Sequence, residues 1–288
     1  MPELPDVEVF KRYLDATALH KTITAAEVKS ARILRGVSIG MLQKTLRHRQ
    51  FQSTHRHGKH LLVALEQGPW LTLHFGMTGY LKYFKQMDKD PEHDRLLVSF
   101  DNGFHLAYVC QRKLGAVGLT DAVDSFIAEK QLGPDVLSLD LEGFRQALQG
   151  KRGTIKSFLM NQQHLAGIGN VYSDEILFQS KLHPKSRVNH LKAETVPRLY
   201  QAVQDVLQEA IEAQADPERL PASFPYPTGG GRGPVPAAGV ACKRSTLPGA
   251  RVIIARPARP SQLDRAVIFY PRSFLTCGAL CGFRRGLS

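Results

Sequence analysis

Met1-Pro2-Glu3-Leu4-Pro5-Asp6-Val7-Glu8 opens the chain. Removal of Met1 ahead of the small residue Pro2 would leave a chain-terminal secondary amine, with an ordinary pKa of about 8 or above. Such an amine attacks aldehyde-like carbons and forms a Schiff base, and the adjoining Glu3 carboxyl can act as a general acid or base. Taken alone, the stretch is equally consistent with a frayed terminus that leads into a helix.

The opening stretch continues into a predicted helix. Pro5 and Asp6 are typical of a first helical turn, where proline lacks no needed N–H and an acid suits the helix dipole. Val7, Phe10 and Leu14 then recur at helical spacing. An amine at residue 2 would therefore lie just ahead of a helix that is anchored by its apolar face.

Short strands are predicted over residues 22–118. Asp101-Asn102-Gly103 separates the apolar runs 96–100 and 104–109, and Asn-Gly between such runs is a strong hairpin signal. Another run, 70–75, follows the turn signal Gln67-Gly68-Pro69. Several such strands without long helices between them predict an antiparallel sandwich or barrel.

Helices are predicted from about residue 121. Phe144 and Leu148 lie in one helix that Gly150 closes, Thr154 caps the next, and another begins near Asn170. A long helix over residues 194–213 carries one apolar stripe, which consists of Leu199, Val203, Leu207 and Ile211. This pattern indicates a helical domain separate from the strands, with the stripe in its core.

Composition narrows the class of partner. The chain has 288 residues, 43% of them hydrophobic, with a formal net charge of +12 and a pI near 9.7. There is no apolar run of about 18 residues and no signal-peptide pattern, which predicts a soluble intracellular protein without a membrane role. The positive charge favours a polyanion, most often nucleic acid, and the alternative is a solvated surface excess.

Four further stretches carry residues that suit such a partner. They are His55-Arg56-His57-Gly58-Lys59-His60, His74-Phe75-Gly76-Met77-Thr78-Gly79, Cys110-Gln111-Arg112-Lys113-Leu114-Gly115 and residues 163–172. A lysine at a tight glycine turn presents a mobile cation for a phosphate, and a methionine between glycines can wedge between bases. The alternatives are solvated loops for the first and third stretches and a packed core methionine for the second.

The third and fourth stretches add base and phosphate contacts. Arg112 can hydrogen-bond an unpaired base while Leu114 fills space in the stack. Gly167 and Gly169 allow backbone N–H groups to approach an anion, at a helix N-terminus that favours phosphate. A glycine pair between two helices is also the geometry of a hairpin that clamps a nucleic-acid backbone.

Together these stretches resemble the formamidopyrimidine-DNA glycosylase / endonuclease VIII family. The matching segments are PELPDVE, HGK, HFGMTG, QRKLG, QQHLAGIGNVYSDEILF and the following His183-Pro184, in the family's order over about residues 1–220. The resemblance implies an α+β multidomain fold. Its parts would be an N-terminal antiparallel β-sandwich with flanking helices (residues 1–120), a helix–two-turn–helix domain (121–220), a linker (221–240) and a degenerate finger-like tail (241–288).

The resemblance also implies a base-excision repair enzyme. It would remove formamidopyrimidines and 8-oxoguanine from duplex DNA and nick the abasic site by β,δ-elimination. Pro2 would attack C1′ to give a Schiff base, Glu3 would protonate the opened sugar, and Lys59 would hold a phosphate beside the lesion. The DNA-binding set would be Met77, Arg112, Leu114, Lys156, Asn170 and Tyr172. The protein would be a cytoplasmic, nucleoid-associated monomer whose partner is damaged double-stranded DNA.

The chain departs from the family pattern at several positions. Asp6 stands where the family usually has Glu, Asn161 replaces an acid, and Leu114 replaces a Phe. Cys110 replaces an Asp, which we expect to loosen the orientation of Arg112.

The tail departs furthest. Cys242 is followed by Ser245 instead of a second cysteine, and Cys277 and Cys281 are spaced CxxxC. Three thiolates do not complete a tetrahedral zinc site, so zinc is a weak expectation, and the resemblance implies chemistry that needs no cofactor. A zincless finger and a changed reading frame after about Phe224 both stay open, and Arg256 and Arg272 are alternative DNA contacts.

Two other functions are compatible with the sequence. One is a glycosylase of the same family that prefers oxidised pyrimidines, because the loop that covers an oxidised purine is short or absent around residues 215–221. The other is a protein that binds damaged DNA without cutting it. Small tautomerases also use a terminal proline, but their chains are far shorter and need no basic groove.

Overall fold

The computed structural model describes residues 1–220 and Phe224. Within these residues the order of elements is one helix, then strands interrupted by a second helix, then five helices. The strands are β1 (Ile23–Val28), β2 (Phe51–His57), β3 (His60–Leu65), β4 (Trp70–His74), β5 (Tyr80–Phe84), β6 (Asp94–Phe100), β7 (His105–Val109) and β8 (Ala116–Thr120). The α-helices are α1 (Leu4–Thr17), α2 (Ile39–Leu46), α3 (Val123–Glu129), α4 (Leu141–Leu148), α5 (Ile155–Met160), α6 (Asn170–Gln179) and α7 (Thr195–Glu212).

The strands form two four-stranded antiparallel sheets, in the orders β1-β6-β7-β5 and β2-β3-β4-β8. In β6, Leu96 and Val98 enter the main core, whereas the intervening Leu97 joins a small cluster on the other face. Leu61 of β3 and Leu73 of β4 supply the same main core from the second sheet. The predicted antiparallel sandwich is therefore confirmed.

The hairpin between β6 and β7 forms at the predicted Asn-Gly turn. Gly103 has a positive φ of 76°, and the Asn102 side-chain oxygen accepts the Phe104 N–H at 3.1 Å. Ser99 then pairs with His105 across the two strands. The local turn chemistry thus fixes the register of two central strands.

A second core lies among the helices that follow the sandwich. All four residues of the predicted α7 stripe are buried in it. The predicted cap of α5 is also present, since the Thr154 hydroxyl accepts the Ser157 N–H at 3.2 Å. The predicted helical domain is therefore confirmed, while its exact limits at residues 121 and 220 stay predictions.

Helix α1 belongs to both cores. Val7 and Leu14 are fully buried in the sandwich core, whereas Leu4 is fully buried in the helical core. The helix therefore ties the two cores together. As a consequence, the residues just ahead of it lie at the junction of the sandwich and the helices.

The structure differs from the expectation of strands alone over residues 22–118. Helix α2 interrupts them, because the Ser38 hydroxyl caps it by accepting the Met41 N–H at 3.2 Å and Leu42 and Leu46 enter the sandwich core. Within residues 1–220, no helix combines the length and apolar character needed to cross a membrane. The predicted linker and tail, 221–240 and 241–288, lie outside the described residues apart from Phe224.

Candidate active site

The N-terminal segment is fixed on the turn that precedes α6. The Leu4 N–H donates to the Gly167 carbonyl at 3.1 Å. Gly167 has a positive φ of 125°, and a Cβ added to it would lie 2.5 Å from the Leu4 side chain. Glycine is therefore required at position 167 both by backbone conformation and by the close approach of the terminus.

Glu3 places a carboxylate on the N-terminus of α6. Its two side-chain oxygens accept the N–H groups of Gly169 at 2.6 Å, Val171 at 2.9 Å and Tyr172 at 3.3 Å. Unpaired N–H groups and the helix dipole favour an anion at this position. We expected such amides to approach a phosphate, and the anion that three of them hold is instead a side chain of the same protein.

Lys59 meets Glu3 from the sandwich side. It is 7% exposed and follows Gly58, whose positive φ of 55° turns the chain from β2 into β3. A Cβ added to Gly169 would lie 2.4 Å from the Glu3 carboxyl carbon and 2.7 Å from the Lys59 ammonium nitrogen. Glu3, Lys59 and Gly169 therefore form one buried cluster, called the Glu3 site below, and the alternative of a solvated loop around Lys59 is wrong.

Burial and charge oppose each other in the Glu3 site. Burial raises the pKa of Glu3, and the Lys59 charge and the three backbone N–H bonds counter that rise. Burial lowers the pKa of Lys59, and the charges of Glu3 and Asp6 counter that fall. A carboxyl whose pKa is raised while it stays hydrogen-bonded is suited to holding and releasing a proton.

Asp6 and Pro2 complete the terminus. The Asp6 carboxylate accepts the Glu3 N–H at 2.8 Å, and burial raises the pKa of Asp6 to about 6. Pro2 is half-buried beside Glu3, and Met1 is 52% exposed. Because the free amine must belong to Pro2 for the predicted chemistry, the removal of Met1 stays a prediction.

An ion-pair network that the sequence did not reveal holds the Lys59 turn. The Arg56 guanidinium donates to Glu8 of α1 at 2.9 Å and pairs with Asp135 through two nitrogens. Asp135 also accepts the Gly58 N–H at 2.7 Å. The Arg56 and Asp135 side chains are only 11% and 10% exposed. The one sequence signal was a charged residue inside a strand, and nothing pointed to its partner 79 positions away.

Gln162 holds the turn on the other side of Glu3, and sequence reasoning also missed this role. Its amide nitrogen donates to the carbonyls of Met160 and Ile168, both at 2.8 Å. Its amide oxygen accepts the Gly167 N–H at 3.0 Å. A single side chain therefore bridges the end of α5 and the turn ahead of α6. A glutamine directly before a glycine-rich turn was the available signal.

Two neighbouring loops expose the predicted apolar side chains. Met77, in residues 75–79 (the Met77 loop), is 42% exposed, and Leu114, in residues 110–115 (the Leu114 loop), is 51% exposed. Arg112 is exposed on the same loop as Leu114. The alternative of a packed core methionine at position 77 is wrong. The two loops approach closely, since a Cβ added to Gly76 would lie 2.6 Å from the Gly115 nitrogen, and exposed apolar side chains on adjoining loops are typical of an interaction surface.

The other predicted DNA-binding residues lie on α5 and α6. Asn170 is exposed at the start of α6, one residue from the amides that hold Glu3. Lys156 pairs with Asp174 of α6 at 2.5 Å, with 26% of its side chain exposed. Tyr172 is 6% exposed and belongs to the helical core. The structure thus brings Asn170 beside the Glu3 site and places the Tyr172 ring in the packing of α6.

The weak zinc expectation lies outside the described residues. Cys242, Cys277 and Cys281, and the alternative contacts Arg256 and Arg272, all fall after Phe224. Among residues 1–220 and Phe224, no three His, Cys, Asp or Glu side chains are grouped so as to hold a metal ion. Cys110, the one cysteine in this part of the chain, is a buried free thiol.

Two family models match the chain. Residues 1–117 match the formamidopyrimidine-DNA glycosylase N-terminal domain, and residues 132–220 match the formamidopyrimidine-DNA glycosylase H2TH domain. The first contains Glu3 and Lys59, and the second contains Gly169. The Glu3 site is therefore formed where the two matched segments meet.

The relatives that are similar to this chain are also formamidopyrimidine-DNA glycosylases. A formamidopyrimidine-DNA glycosylase from Solibacter usitatus is 35% identical over 213 residues, which cover 74% of this chain and 78% of the relative. One from Pelotomaculum thermopropionicum is 33% identical over 216 residues, with the same coverage. One from Arabidopsis thaliana is 30% identical over 77% of this chain and 61% of its own length.

Solved structures give the same result. The Lactococcus lactis Fpg (MutM) protein in complex with an N7-benzyl-Fapy-dG-containing DNA aligns with a TM-score of 0.69 at 30% identity, over 74% of this chain and 80% of that chain. MutM in complex with a carbocyclic 8-oxo-G-containing DNA has the same score, identity and coverage. The chain belongs to the formamidopyrimidine-DNA glycosylase family.

Proposed function

We propose that this protein is a base-excision repair enzyme, a DNA glycosylase with abasic-site lyase activity that acts through a Schiff base on Pro2. The observation that carries the proposal is the buried Glu3 carboxyl, which three backbone N–H groups at the start of α6 hold beside Lys59 and directly after Pro2. The cluster places an acid and a cation within reach of the Pro2 amine, as a nucleophile of this kind requires.

The reaction follows from the order of these groups. The Pro2 nitrogen lone pair forms a bond to C1′ of the damaged nucleotide as the glycosidic electron pair leaves with the base, and the proton that the nitrogen then carries passes to the departing base. Protonation of the ring oxygen by Glu3, whose pKa burial raises, lets the sugar open and gives an iminium. The opened Schiff base acidifies the C2′ protons, so loss of one of them expels the 3′ phosphate, and a second elimination expels the 5′ phosphate.

The surrounding residues are proposed to contact the DNA backbone and the base stack. Lys59, Lys156 and Asn170 are proposed to hold phosphates near the flipped nucleotide. For Lys156 this requires exchanging its Asp174 partner, 2.5 Å away, for a phosphate oxygen. Met77, Arg112 and Leu114 are proposed to fill the space left in the stack, which offsets a few kcal/mol of unstacking. The formal net charge of +12 suits this polyanionic partner.

We also propose the lesion class and the setting. Structures of relatives hold DNA with Fapy-dG and with carbocyclic 8-oxo-G, which supports formamidopyrimidines and 8-oxoguanine ahead of oxidised pyrimidines. The proposed setting is the cytoplasm, in association with the nucleoid, since the proposed substrate is damaged double-stranded DNA, and the proposed state is a monomer.

Borohydride trapping tests the proposal. The purified protein is incubated with duplexes that carry 8-oxoguanine, an oxidised pyrimidine or an abasic site. We expect a covalent complex whose DNA adduct maps to residue 2 in the tryptic peptide that ends at Lys11. Pro2→Gly should lose excision while it keeps binding, and the exposed-acid control Glu142→Gln should match the wild type. A wild-type protein that lacks Met1 and traps none of the three duplexes would refute the Pro2 assignment.

A further inference from the structure

The Met77 loop and the Leu114 loop touch through their backbones. Gly76 has a positive φ of 60°, and a Cβ added to it would lie 2.6 Å from the Gly115 nitrogen and 2.7 Å from the Leu114 carbonyl oxygen. Lys113 also has a positive φ, of 53°. A left-handed conformation at a residue other than glycine persists only where the surrounding structure determines it, so the Leu114 loop must be held in place at Lys113.

The end of β7 supplies that hold through two buried side chains. The Tyr108 hydroxyl donates to the His74 carbonyl at 2.8 Å, at the start of the Met77 loop. The Cys110 sulfur accepts the Gly115 N–H at 3.3 Å, at the end of the Leu114 loop. Tyr108 is 2% exposed and Cys110 is fully buried. Tyr108 therefore reaches the Met77 loop from the end of β7, and Cys110, the first residue of the Leu114 loop, closes that loop on its last residue.

The Tyr108 hydroxyl also lies against the second loop. A Cβ added to Gly115 would lie 1.8 Å from the Tyr108 oxygen and 2.8 Å from the His74 carbonyl oxygen. Burial, and then the neighbouring Cys110 thiol, raises the pKa of Tyr108, so the hydroxyl keeps its proton and remains a donor. The Cys110 carbonyl in turn accepts the Lys113 N–H at 3.2 Å and the Arg95 guanidinium at 3.1 Å.

We propose that Cys110 and Tyr108 are positioning residues that fix the two loops as one rigid unit, so that Met77 and Leu114 enter a DNA duplex together. This inference rests on the proposed function and deepens it. Side chains held in their bound arrangement lose less freedom when they insert than side chains on two independent loops. The sulfur of Cys110 thus takes a definite role in the loop that also carries Arg112.

Amide hydrogen exchange tests the coupling without any need for activity. Cys110→Ala removes the acceptor on one loop, and Tyr108→Phe removes the donor to the other. We expect each variant to speed exchange in both loops, by about fivefold if one net hydrogen bond is lost. The matched control is Val109→Ala, which trims the intervening residue on the opposite face of β7. Faster exchange confined to the loop that lost its own bond, or an equal response in Val109→Ala, would overturn the proposal.

Excision kinetics test the consequence for DNA. For 8-oxoguanine paired in a duplex, we expect kcat/KM to fall about fivefold in Cys110→Ala and Tyr108→Phe. For the same lesion left unpaired in a bulge, where extrusion is already easy, kcat/KM should stay within about twofold of wild type. Cys110→Ser keeps an acceptor for the Gly115 N–H, so its kcat/KM on the paired substrate should return to the wild-type value. An equal fall on both substrates would refute the positioning role.

The two experiments separate the possible failures. A wild-type protein that cuts neither substrate contradicts the proposed function, whereas the exchange data still decide whether the loops are coupled. A wild-type protein that cuts both, combined with uncoupled loops, contradicts the positioning role alone.

Discussion

The Glu3 site and the paired Met77 and Leu114 loops are constructed in opposite ways. Glu3 is 1% exposed, and three backbone N–H groups and a lysine surround its carboxyl. Met77 and Leu114 are 42% and 51% exposed, and their outer surfaces meet no other part of the described protein. One region is complete before DNA arrives, and the other leaves apolar surface for DNA to cover.

The difference matches what each region has to do. Electrostatic groups act most strongly when they are desolvated and fixed before the reaction. An apolar wedge contributes only when it leaves water for the base stack, so it must be exposed in the free protein. Substitutions in the buried site should therefore change chemistry or folding, whereas substitutions at the loop tips should change only the handling of paired DNA.

The largest expected effect is on chemistry, from Glu3→Gln. Loss of the carboxyl removes the proposed proton donor, and general acid–base groups contribute about 10²–10⁴-fold in rate. We expect single-turnover excision of 8-oxoguanine to fall within that range. The amide side chain still offers one oxygen to the α6 N–H groups, so the circular dichroism spectrum should match that of the wild type. A rate within about tenfold of the wild type would remove Glu3 from the mechanism.

The next effect is on stability, from Asp135→Ala. The change leaves the Arg56 guanidinium, only 11% exposed, without its main partner, and it leaves the Gly58 N–H without an acceptor. Breaking a buried ion pair in this way costs about 3–5 kcal/mol of unfolding free energy. Urea denaturation followed by circular dichroism measures the change.

An exposed ion pair gives the matched control for that experiment. Glu129 pairs with Lys130 at 2.8 Å, with side chains 68% and 42% exposed. Glu129→Gln should leave the urea midpoint unchanged, because solvent screens such pairs. Equal destabilisation by the two substitutions would contradict the interpretation of Arg56–Asp135 as a buried clamp between the sandwich and the helices.

Local signals predicted much of the fold. The Asn102-Gly103 turn, the Thr154 cap and the Leu199 to Ile211 stripe each depend on residues a few positions apart, and all three are present. Helix α2 was missed although Ser38 caps it, because its eight residues lie inside a segment dominated by strand signals.

For the Glu3 site, the sequence predicted which residue types take part but not which groups they contact. Glu3 was identified beside the terminal amine, but its N–H partners lie 166 or more positions along the chain. Lys59 was expected to be mobile because a glycine turn usually lies at the surface, and here Ala166 packs against that turn instead. Contacts between the sandwich and the helices have no local periodicity, so neither Asp135 nor the orientation of Lys59 was recognisable in the sequence.

A smaller effect is expected from truncating the loop tips. Met77→Ala and Leu114→Ala remove exposed side chains, so the unfolding free energy should stay unchanged. On a paired lesion, we expect kcat/KM to fall about tenfold in each variant, since the wedge offsets part of the few kcal/mol needed for unstacking. Met41, which is 60% exposed on α2, gives the control Met41→Ala. A loss of stability in Met77→Ala would contradict the view that its side chain is free of the core.

The last expected effect is a pH dependence at the edge of the Glu3 site. Burial raises the pKa of Asp6 from its ordinary 3.8 to about 6. The folded protein therefore holds this proton more tightly than the unfolded chain does. The stability that protonated Asp6 contributes is complete below pH 3.8 and is lost as the pH rises through about 6.

In Asp6→Asn, which keeps an oxygen for the Glu3 N–H, that loss should be absent. The measurement is the difference in unfolding free energy between wild type and variant, in urea at several pH values. Glu175, whose pKa burial raises to about 7, is present in both proteins and cancels in the difference. A difference that is constant between pH 4 and pH 7 would show that Asp6 is no more buried than the exposed acids, and would confine the desolvated region to Glu3 and Lys59.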